Sequence, residues 1–258
     1  MIGPSPPPRA WLDMTYDVES DRIIIFGGRD LSQGLPAIIR DDTWAYDYNS
    51  NTWEEMNPSN YPKDRWEHGL AYDNESDRII LYGGYTDGAN YNDTWAYDYN
   101  TDTWTKMNPK TSPGFREEFN MAYNPITDQC MLFGGINSGG YPNAAGNGLK
   151  DMWVYDYNDN NWTEFLLYDH PSGRAESELV YNSKDDVMIL FGGWLGESKN
   201  IVYTDMWVFE YEITTKIPTT PTTTTTTTIV ETSTMIFTPL FLIFLGIIII
   251  NRRRKKVE

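Results

Sequence analysis

The residues best suited to catalyse a reaction or bind a metal are few and widely separated in this 258-residue chain. The only two histidines, His68 and His170, lie in different segments, and no H-x-x-H, C-x-x-C or H-E-x-x-H spacing accompanies them. A zinc site is therefore not predicted. The single cysteine, Cys130, lies in the apolar run "QCMLFGG", which favours a core position over a reactive one. We predict no catalytic residue, no metal site and no cofactor.

Acidic side chains form the second group of candidates. Glu67, Glu118 and Glu176 each follow an arginine by two residues, and Glu178 lies close by. Two interpretations are open. The carboxylates could line a channel that binds a cation, or they could pair with the arginines and join neighbouring elements, which we favour. The "YDYN" segments lack the glycine and terminal glutamate of a calcium loop, so we interpret them as hairpin turns.

The elements that must position these residues belong to an internal sequence repeat. In each of four units an arginine stands 7 residues before a tyrosine, which stands 11 residues before a Gly-Gly pair. A spacer of variable length leads to a tryptophan, and a second tryptophan follows 9 residues later in three units, with Lys216 at that place in the fourth. The motif residues are Arg9, Arg65, Arg116, Arg174, Tyr16, Tyr72, Tyr123, Tyr181, Gly27, Gly28, Gly83, Gly84, Gly134, Gly135, Gly192, Gly193, Trp44, Trp95, Trp153, Trp207, Trp53, Trp104 and Trp162.

Each unit consists of four short runs with the composition of β-strands. The runs of the second unit are "RWEHGLAY", "DRIILYGG", "DTWAYDY" and "DTWTKM", bounded by Gly, Asn, Asp and Pro clusters. No segment between them has the length and 3.6-residue spacing of a helix. Units of 51 to 58 residues with four strands each predict an all-β fold, a β-propeller whose four repeat units could form an incomplete ring.

The Arg–Tyr–Gly-Gly–Trp–Trp pattern resembles the kelch repeat over residues 9–211. The resemblance implies that the Arg-to-Tyr run is the innermost strand of each blade and that the strand with the second tryptophan is the outermost. It also implies a module that binds a protein or a glycan. A carbohydrate-active enzyme of the sugar isomerase or oxidase type is the alternative. Kelch copper oxidases use a cysteine-linked tyrosine and two histidine ligands, which the position of Cys130 does not support.

The variable spacers between the Gly-Gly pair and the next tryptophan are the predicted ligand-binding loops. Length variation on a fixed scaffold is typical of recognition loops, although random loop drift explains it equally well. The spacers carry aromatic and arginine residues of the kind that dominates binding interfaces. The candidates are Arg29, Arg40, Tyr85, Tyr91, Tyr141, Trp194 and Tyr203.

The C-terminal region differs in composition from the repeats. We divide the chain into repeats over residues 1–216, a Thr/Pro-rich linker over 217–234, a transmembrane helix over 235–250 and a basic cytoplasmic tail over 251–258. Residues 235–250 carry no charge, and "RRRKK" follows at 252–256. This predicts a single-pass membrane protein with the propeller outside the cytoplasm. The alternative is a tail-anchored scaffold that faces the cytosol.

The N-terminus and the overall charge complete the sequence-based expectations. Residues 1–20 contain no apolar signal segment, and Met1 stands where the outer strand of a preceding unit would end. The chain either starts here or lacks upstream units, and both interpretations stay open. Residues 1–216 carry 35 acidic and 15 basic side chains, a charge of −20. Nucleic acid is therefore not expected as a partner.

Overall fold

The four repeat units fold into four antiparallel sheets. A computed structural model describes residues 3–137, 148–167, 169–195, 201–213 and 248–255. Within these ranges the chain forms strands and turns, and no α-helix occurs. The expectation of an all-β fold with four blades is confirmed.

Every unit supplies four long strands, and three units add a hairpin of two-residue strands after the Gly-Gly pair within the described ranges. The first unit contains β1 (Asp13–Asp17), β2 (Arg22–Phe26), β3 (Arg29–Asp30), β4 (Ile38–Ile39), β5 (Thr43–Asp47) and β6 (Thr52–Met56). The second contains β7 (Gly69–Asp73), β8 (Arg78–Tyr82), β9 (Tyr85–Thr86), β10 (Ala89–Asn90), β11 (Thr94–Asp98) and β12 (Thr103–Met107). The third contains β13 (Asn120–Asn124), β14 (Gln129–Phe133), β15 (Met152–Asp156) and β16 (Asn161–Phe165). The fourth contains β17 (Glu178–Asn182), β18 (Val187–Phe191), β19 (Trp194–Leu195), β20 (Ile201–Val202), β21 (Met206–Ile213) and β22 (Ile248–Lys255).

The long strands of each unit form one blade, in which neighbouring strands follow one another along the chain. The orders are β1-β2-β5-β6, β7-β8-β11-β12, β13-β14-β15-β16 and β17-β18-β21-β22. The inner strands β1, β7, β13 and β17 each contain a motif tyrosine as their last but one residue. Strand β7 packs against β1, and β13 packs against β7 and β17. This arrangement confirms that the Arg-to-Tyr runs lead into the innermost strands.

The hydrophobic core lies between successive blades. Each blade turns one face towards the preceding blade, which we call its leading face, and the other towards the following blade, its trailing face. The buried clusters join blades 1 and 2, blades 2 and 3, and blades 3 and 4. Trp104 and Trp162 are buried on leading faces, and their indole N–H groups donate to Thr43 and Thr94 of the preceding blade at 3.0 and 2.9 Å.

The outer strand of the fourth blade is formed by residues from the C-terminal region. Residues 248–255 pair with β21 in an antiparallel register from Met206↔Lys255 to Ile213↔Ile248. Strand β22 thus includes residues 248–250 of the predicted membrane span and residues 251–255 of the predicted tail, and the membrane span stays a prediction. Residues 235–247 of the predicted membrane span lie outside the described residues. No helix in the described part of the chain is long and apolar enough to cross a membrane.

Candidate functional site

The four motif arginines anchor one end of the propeller. Each buried guanidinium donates to the carbonyl of the first glycine in its own blade and to an aspartate at 2.6–3.2 Å. The same aspartate accepts a hydrogen bond from the indole N–H of the tryptophan two residues later, at 2.6–2.8 Å. The Arg–Glu pairs expected from the sequence are therefore wrong. The partners are Asp42, Asp93, Asp151 and Asp205.

The Gly-Gly pairs bring neighbouring blades into backbone contact at this same end. The first glycine has a positive φ, and a Cβ atom at Gly27, Gly83 or Gly134 would approach the arginine carbonyl of the next blade to 2.5–2.7 Å. The second glycine donates its N–H to that same carbonyl at 2.8–2.9 Å. Only glycine fits such an approach, as the sequence predicted.

The residues two positions after the arginines form a ring around the propeller axis. Trp11, Glu67, Glu118 and Glu176 all have left-handed backbone, with φ between 48° and 57°. Each glutamate donates its N–H to the carbonyl of the corresponding residue in the preceding blade, at 2.8–3.3 Å. A left-handed conformation is unfavourable for such side chains, so the surrounding bonds must impose it. The result is that these side chains converge at one end of the channel.

Aromatic side chains border this ring. The Trp11 and Trp66 rings are 5.2 Å apart, and Tyr85 meets Trp66 edge-on at 5.3 Å. The Arg29 guanidinium lies over the Trp66 ring at 4.9 Å. We call the set Trp11, Arg29, Trp66, Tyr85, Glu67, Glu118 and Glu176 the mouth. It opens into a cavity of about 1520 Å³ between the inner strands.

The mouth is strongly acidic at its centre. Carboxylate oxygens of Glu67, Glu118 and Glu176 lie within 4.8 Å of one another. Burial, and next the Glu118 carboxylate, raise the pKa of Glu67 to about 9, so Glu67 holds a proton at neutral pH. Among the described residues this is the one set whose oxygens could surround a metal ion, and it would suit a hard cation. The same geometry suits an ammonium or guanidinium group of a ligand.

The structure brings some of the predicted loop residues to the mouth. Arg29 and Tyr85 start the short hairpins after the Gly-Gly pairs and bridge to Ala10 and Trp66. Trp194 occupies the equivalent position in the fourth blade, where it bridges to Ala175. Tyr141 lies outside the described residues.

Three other predicted loop residues contact the scaffold. Arg40, Tyr91 and Tyr203 occupy equivalent positions at the ends of the spacers, where each donates its backbone N–H to the second glycine of its blade. The rings of Tyr91 and Tyr203 lie 4.1 Å from the guanidinium carbons of Arg65 and Arg174. Arg40 pairs with Asp30 at 2.9 Å. A role in ligand binding for these residues stays a prediction.

Sequence reasoning missed two groups. The aspartates carry a visible signal, because Asp-x-Trp recurs before the first tryptophan of all four units. Trp11 and Trp66 carry none, since they stand at different offsets from their arginines and meet only through the contact of two blades.

The histidines and the cysteine form no common site. Burial, and then the Arg65 charge, lower the pKa of His68 to about 3, and its ring packs edge-on against Phe26. His170 bonds to the carbonyl of Pro171 in the segment before the fourth blade. Burial raises the pKa of the Cys130 thiol, which keeps it protonated and unreactive.

Comparison with known proteins gives the same picture as the repeat offsets. The profile of the KLHDC2/KLHL20/DRC7 Kelch-repeats domain matches residues 34–238. The flagellar outer-arm dynein alpha chain of Chlamydomonas reinhardtii is 26% identical over 74% of this chain and 4% of its own length. The Rab9 effector protein with kelch motifs of Bos taurus is 23% identical over 77% of this chain and 52% of its own. Mei4-dependent protein 6 of Schizosaccharomyces pombe is 22% identical over 55% of this chain and 21% of its own length. The chain thus spans about half the length of these relatives or less.

Proposed function

This chain is a protein-interaction module of the kelch-repeat family, and from that premise we propose that its mouth binds a basic segment of a partner protein. The observation that carries the proposal is a cluster of three glutamate side chains beside the aromatic side chains of blades 1 and 2. A lysine or arginine side chain fits such a site. Its charged group can pair with the glutamates, and its aliphatic part and its charge can also contact the faces of the aromatic rings.

Two further features support a basic partner. The repeats carry a charge of −20, which attracts cationic segments and accelerates their association. One of the relatives is named an effector of Rab9, which is consistent with a protein as the partner class. A cation in the mouth would lower the raised pKa of Glu67, because a neighbouring positive charge favours the ionised carboxyl.

The first test uses octapeptide libraries in which one position is fixed and the others vary. We expect the full chain to bind the libraries with arginine or lysine at the fixed position more tightly than those with other residues there. Trp11→Ala and Glu118→Gln should each weaken the best peptide at least about tenfold, which corresponds to about 1.4 kcal/mol. Trp11 is an exposed side chain, so its loss leaves the core intact. Isothermal titration calorimetry measures the affinities.

The matched control is Tyr48→Ala, which removes an exposed aromatic side chain from a hairpin turn at the opposite end of the blades. Its affinity should equal that of the unmodified chain. Equal binding of glutamine and arginine peptides contradicts the proposal. Selective binding of a neutral oligosaccharide, lost in Trp11→Ala, would identify a glycan as the ligand instead.

We also propose that the chain is held at a membrane with its propeller outside the cytoplasm. The support is in the sequence: an uncharged run ends at Ile250, a Thr/Pro-rich stretch precedes it and a basic cluster follows it. Membrane insertion and the pairing of β22 with β21 exclude each other in one molecule, because insertion carries residues 252–256 to the other side.

Deletion of residues 229–258 should move the protein from the membrane fraction to the supernatant after cell lysis and centrifugation. The physical reason is the loss of the 16-residue apolar run, which alone is long enough to approach the thickness of the hydrocarbon core. The control replaces residues 252–256 with serines, which should alter orientation but not partitioning. Unchanged fractionation of the deletion variant contradicts the anchor.

A further inference from the structure

Three short motifs in the chain are explained neither by the blades nor by the mouth. The segments "NES" (74–76), "NDT" (92–94) and "NWT" (161–163) each have the form Asn-x-Ser/Thr, in which x is not proline. This form is the acceptor sequence for N-linked glycans in exported proteins. Because so short a motif also occurs by chance, the surroundings of each asparagine decide whether the folded chain has room for a glycan.

Asn74 lies in the turn between β7 and β8, at the end of the channel opposite the mouth. Its side chain is exposed, and its amide makes no hydrogen bond within the described part of the chain. Asn74 stands 9 residues after Arg65, and the residues at this offset in all four units border the channel cavity. A glycan on Asn74 would therefore cover the far end of the channel and leave the mouth open.

Asn92 lies in the spacer of blade 2, between β10 and β11. Its side chain is also exposed, and in the described ranges its amide makes no hydrogen bond, while its backbone carbonyl accepts one from Ser112 at 3.4 Å. The next residue, Asp93, accepts a hydrogen bond from the buried Arg65 guanidinium at 2.7 Å. A glycan on Asn92 would thus extend into solvent from a stretch of backbone that the Arg65–Asp93 pair holds in place.

Asn161 has different surroundings, because it begins β16 and is half-buried. Its amide oxygen accepts a hydrogen bond from the Thr111 hydroxyl at 3.0 Å, and its amide nitrogen donates to the Trp162 carbonyl at 3.1 Å. Thr111 belongs to the segment that connects blades 2 and 3. A sugar on the Asn161 nitrogen would push this segment away, so the folded chain has no room for a glycan there.

We propose that Asn74 and Asn92 carry N-linked glycans and that Asn161 does not. The inference rests on the proposed location of the propeller outside the cytoplasm, because only exported segments meet the glycosylating enzyme. In the transfer, the asparagine amide nitrogen forms a bond to C1 of the oligosaccharide and loses one proton. The bond from C1 to a phosphate oxygen of the lipid-linked oligosaccharide donor breaks, and the lipid phosphate leaves.

The transfer must precede folding of the blades. The enzyme recognises the hydroxyl that completes each motif, and the fold covers both hydroxyls: that of Ser76 is buried, and Thr94 is 1% exposed. The Thr94 hydroxyl also accepts the Trp162 indole N–H at 2.9 Å. A chain that receives a glycan on Asn161 at this stage cannot form the contact with Thr111, so such chains should be absent from the folded protein.

The test is the mass of the full chain produced in cells that export and N-glycosylate proteins. Peptide-N-glycosidase, which removes N-linked glycans and converts their asparagines to aspartates, should lower the mass of the folded protein. Asn74→Gln and Asn92→Gln should each remove one step of this shift, and the double variant should abolish it. The matched control is Asn161→Gln, which should leave the shift unchanged. Mass spectrometry of tryptic peptides then locates the converted asparagines.

One further variant separates failure of this inference from failure of the proposed location. Ser50→Asn gives residues 50–52 the form Asn-x-Thr in the exposed turn between β5 and β6. A glycan at position 50 with none on Asn74 or Asn92 overturns the inference and leaves the location intact. No glycan at any of these positions overturns both. A glycan on Asn161 in the folded protein contradicts the argument from its surroundings.

Discussion

Replacing Arg65 with methionine is expected to lower the free energy of unfolding by about 3–5 kcal/mol, the loss typical of a buried ion pair from which one partner is removed. The Arg65 side chain is fully buried and donates to the Gly83 carbonyl at 2.9 Å and to Asp93 at 2.7 and 3.2 Å. Burial alone raises the pKa of Asp93, but the Arg65 hydrogen bonds and charge outweigh it and hold that pKa below its usual value. Without Arg65 the carboxylate stays buried and loses its cation. Urea unfolding, followed by tryptophan fluorescence, measures the change.

Two variants separate this effect from the loss of any arginine. Arg78→Met removes a partly exposed ion pair with Asp98 at 3.0 Å and should cost less than about 1 kcal/mol. Asp93→Asn in the Arg65→Met background removes the buried charge while an amide oxygen can still accept from the Trp95 indole, so it should restore part of the loss. An Arg65→Met protein as stable as Arg78→Met would show that the pair does not hold the blade together.

Gly134→Ala is expected to destabilise the protein by about 3–5 kcal/mol, whereas Gly192→Ala should cost only about 1–2 kcal/mol. Both glycines have a φ of +70°, so both substitutions carry the same strain of left-handed backbone, about 1–2 kcal/mol. The new Cβ atom differs in what it meets: the Arg174 carbonyl of blade 4 at 2.6 Å in the first case, and only the Tyr203 carbonyl at 3.6 Å in the second. To relieve the contact, blade 4 must move away, which weakens the 2.9 Å bond from Gly135 to Arg174.

Comparison of the two alanine variants isolates blade packing, because their backbone conformations match. Urea midpoints of the two proteins, measured at one protein concentration, give the difference. Equal losses for the two variants would mean that the close approach between blades contributes little.

The fold could be predicted from the sequence because its information is local and repeated. The 7- and 11-residue offsets give each unit its strand lengths, and period-2 patterns give each strand its buried face. Gly-Gly after an apolar run required a close backbone approach, and Gly83 meets the carbonyl of Arg116 in that manner. Such features can be recognised in a single sequence, because the four repeat units can be compared with one another.

The partners of the motif arginines could not be predicted in the same way. Asp42 lies 33 residues after Arg9, and Asp93 lies 28 residues after Arg65. Because the spacer between them varies in length, the sequence offset does not reveal that the same Arg–Asp pair forms in each blade. From the sequence we paired the arginines with the glutamates that lie two residues after them. In the structure, left-handed backbone at Glu67 and Glu118 turns them towards the axis instead. Hydrogen bonds between blades impose the positive φ of these residues, and a local sequence pattern contains no information about such bonds.

The sequence by itself determined that this chain forms kelch-type blades, which residues end their strands and where backbones must touch. Only the tertiary structure decided that Trp11 meets Trp66 and that Glu67, Glu118 and Glu176 converge, because both arrangements join different blades. It also decided that β22 pairs with β21 as the outer strand of blade 4. Strand pairing over a gap of more than 30 residues depends on which edge remains open after the other strands have paired, and an open edge is a property of the assembled sheet.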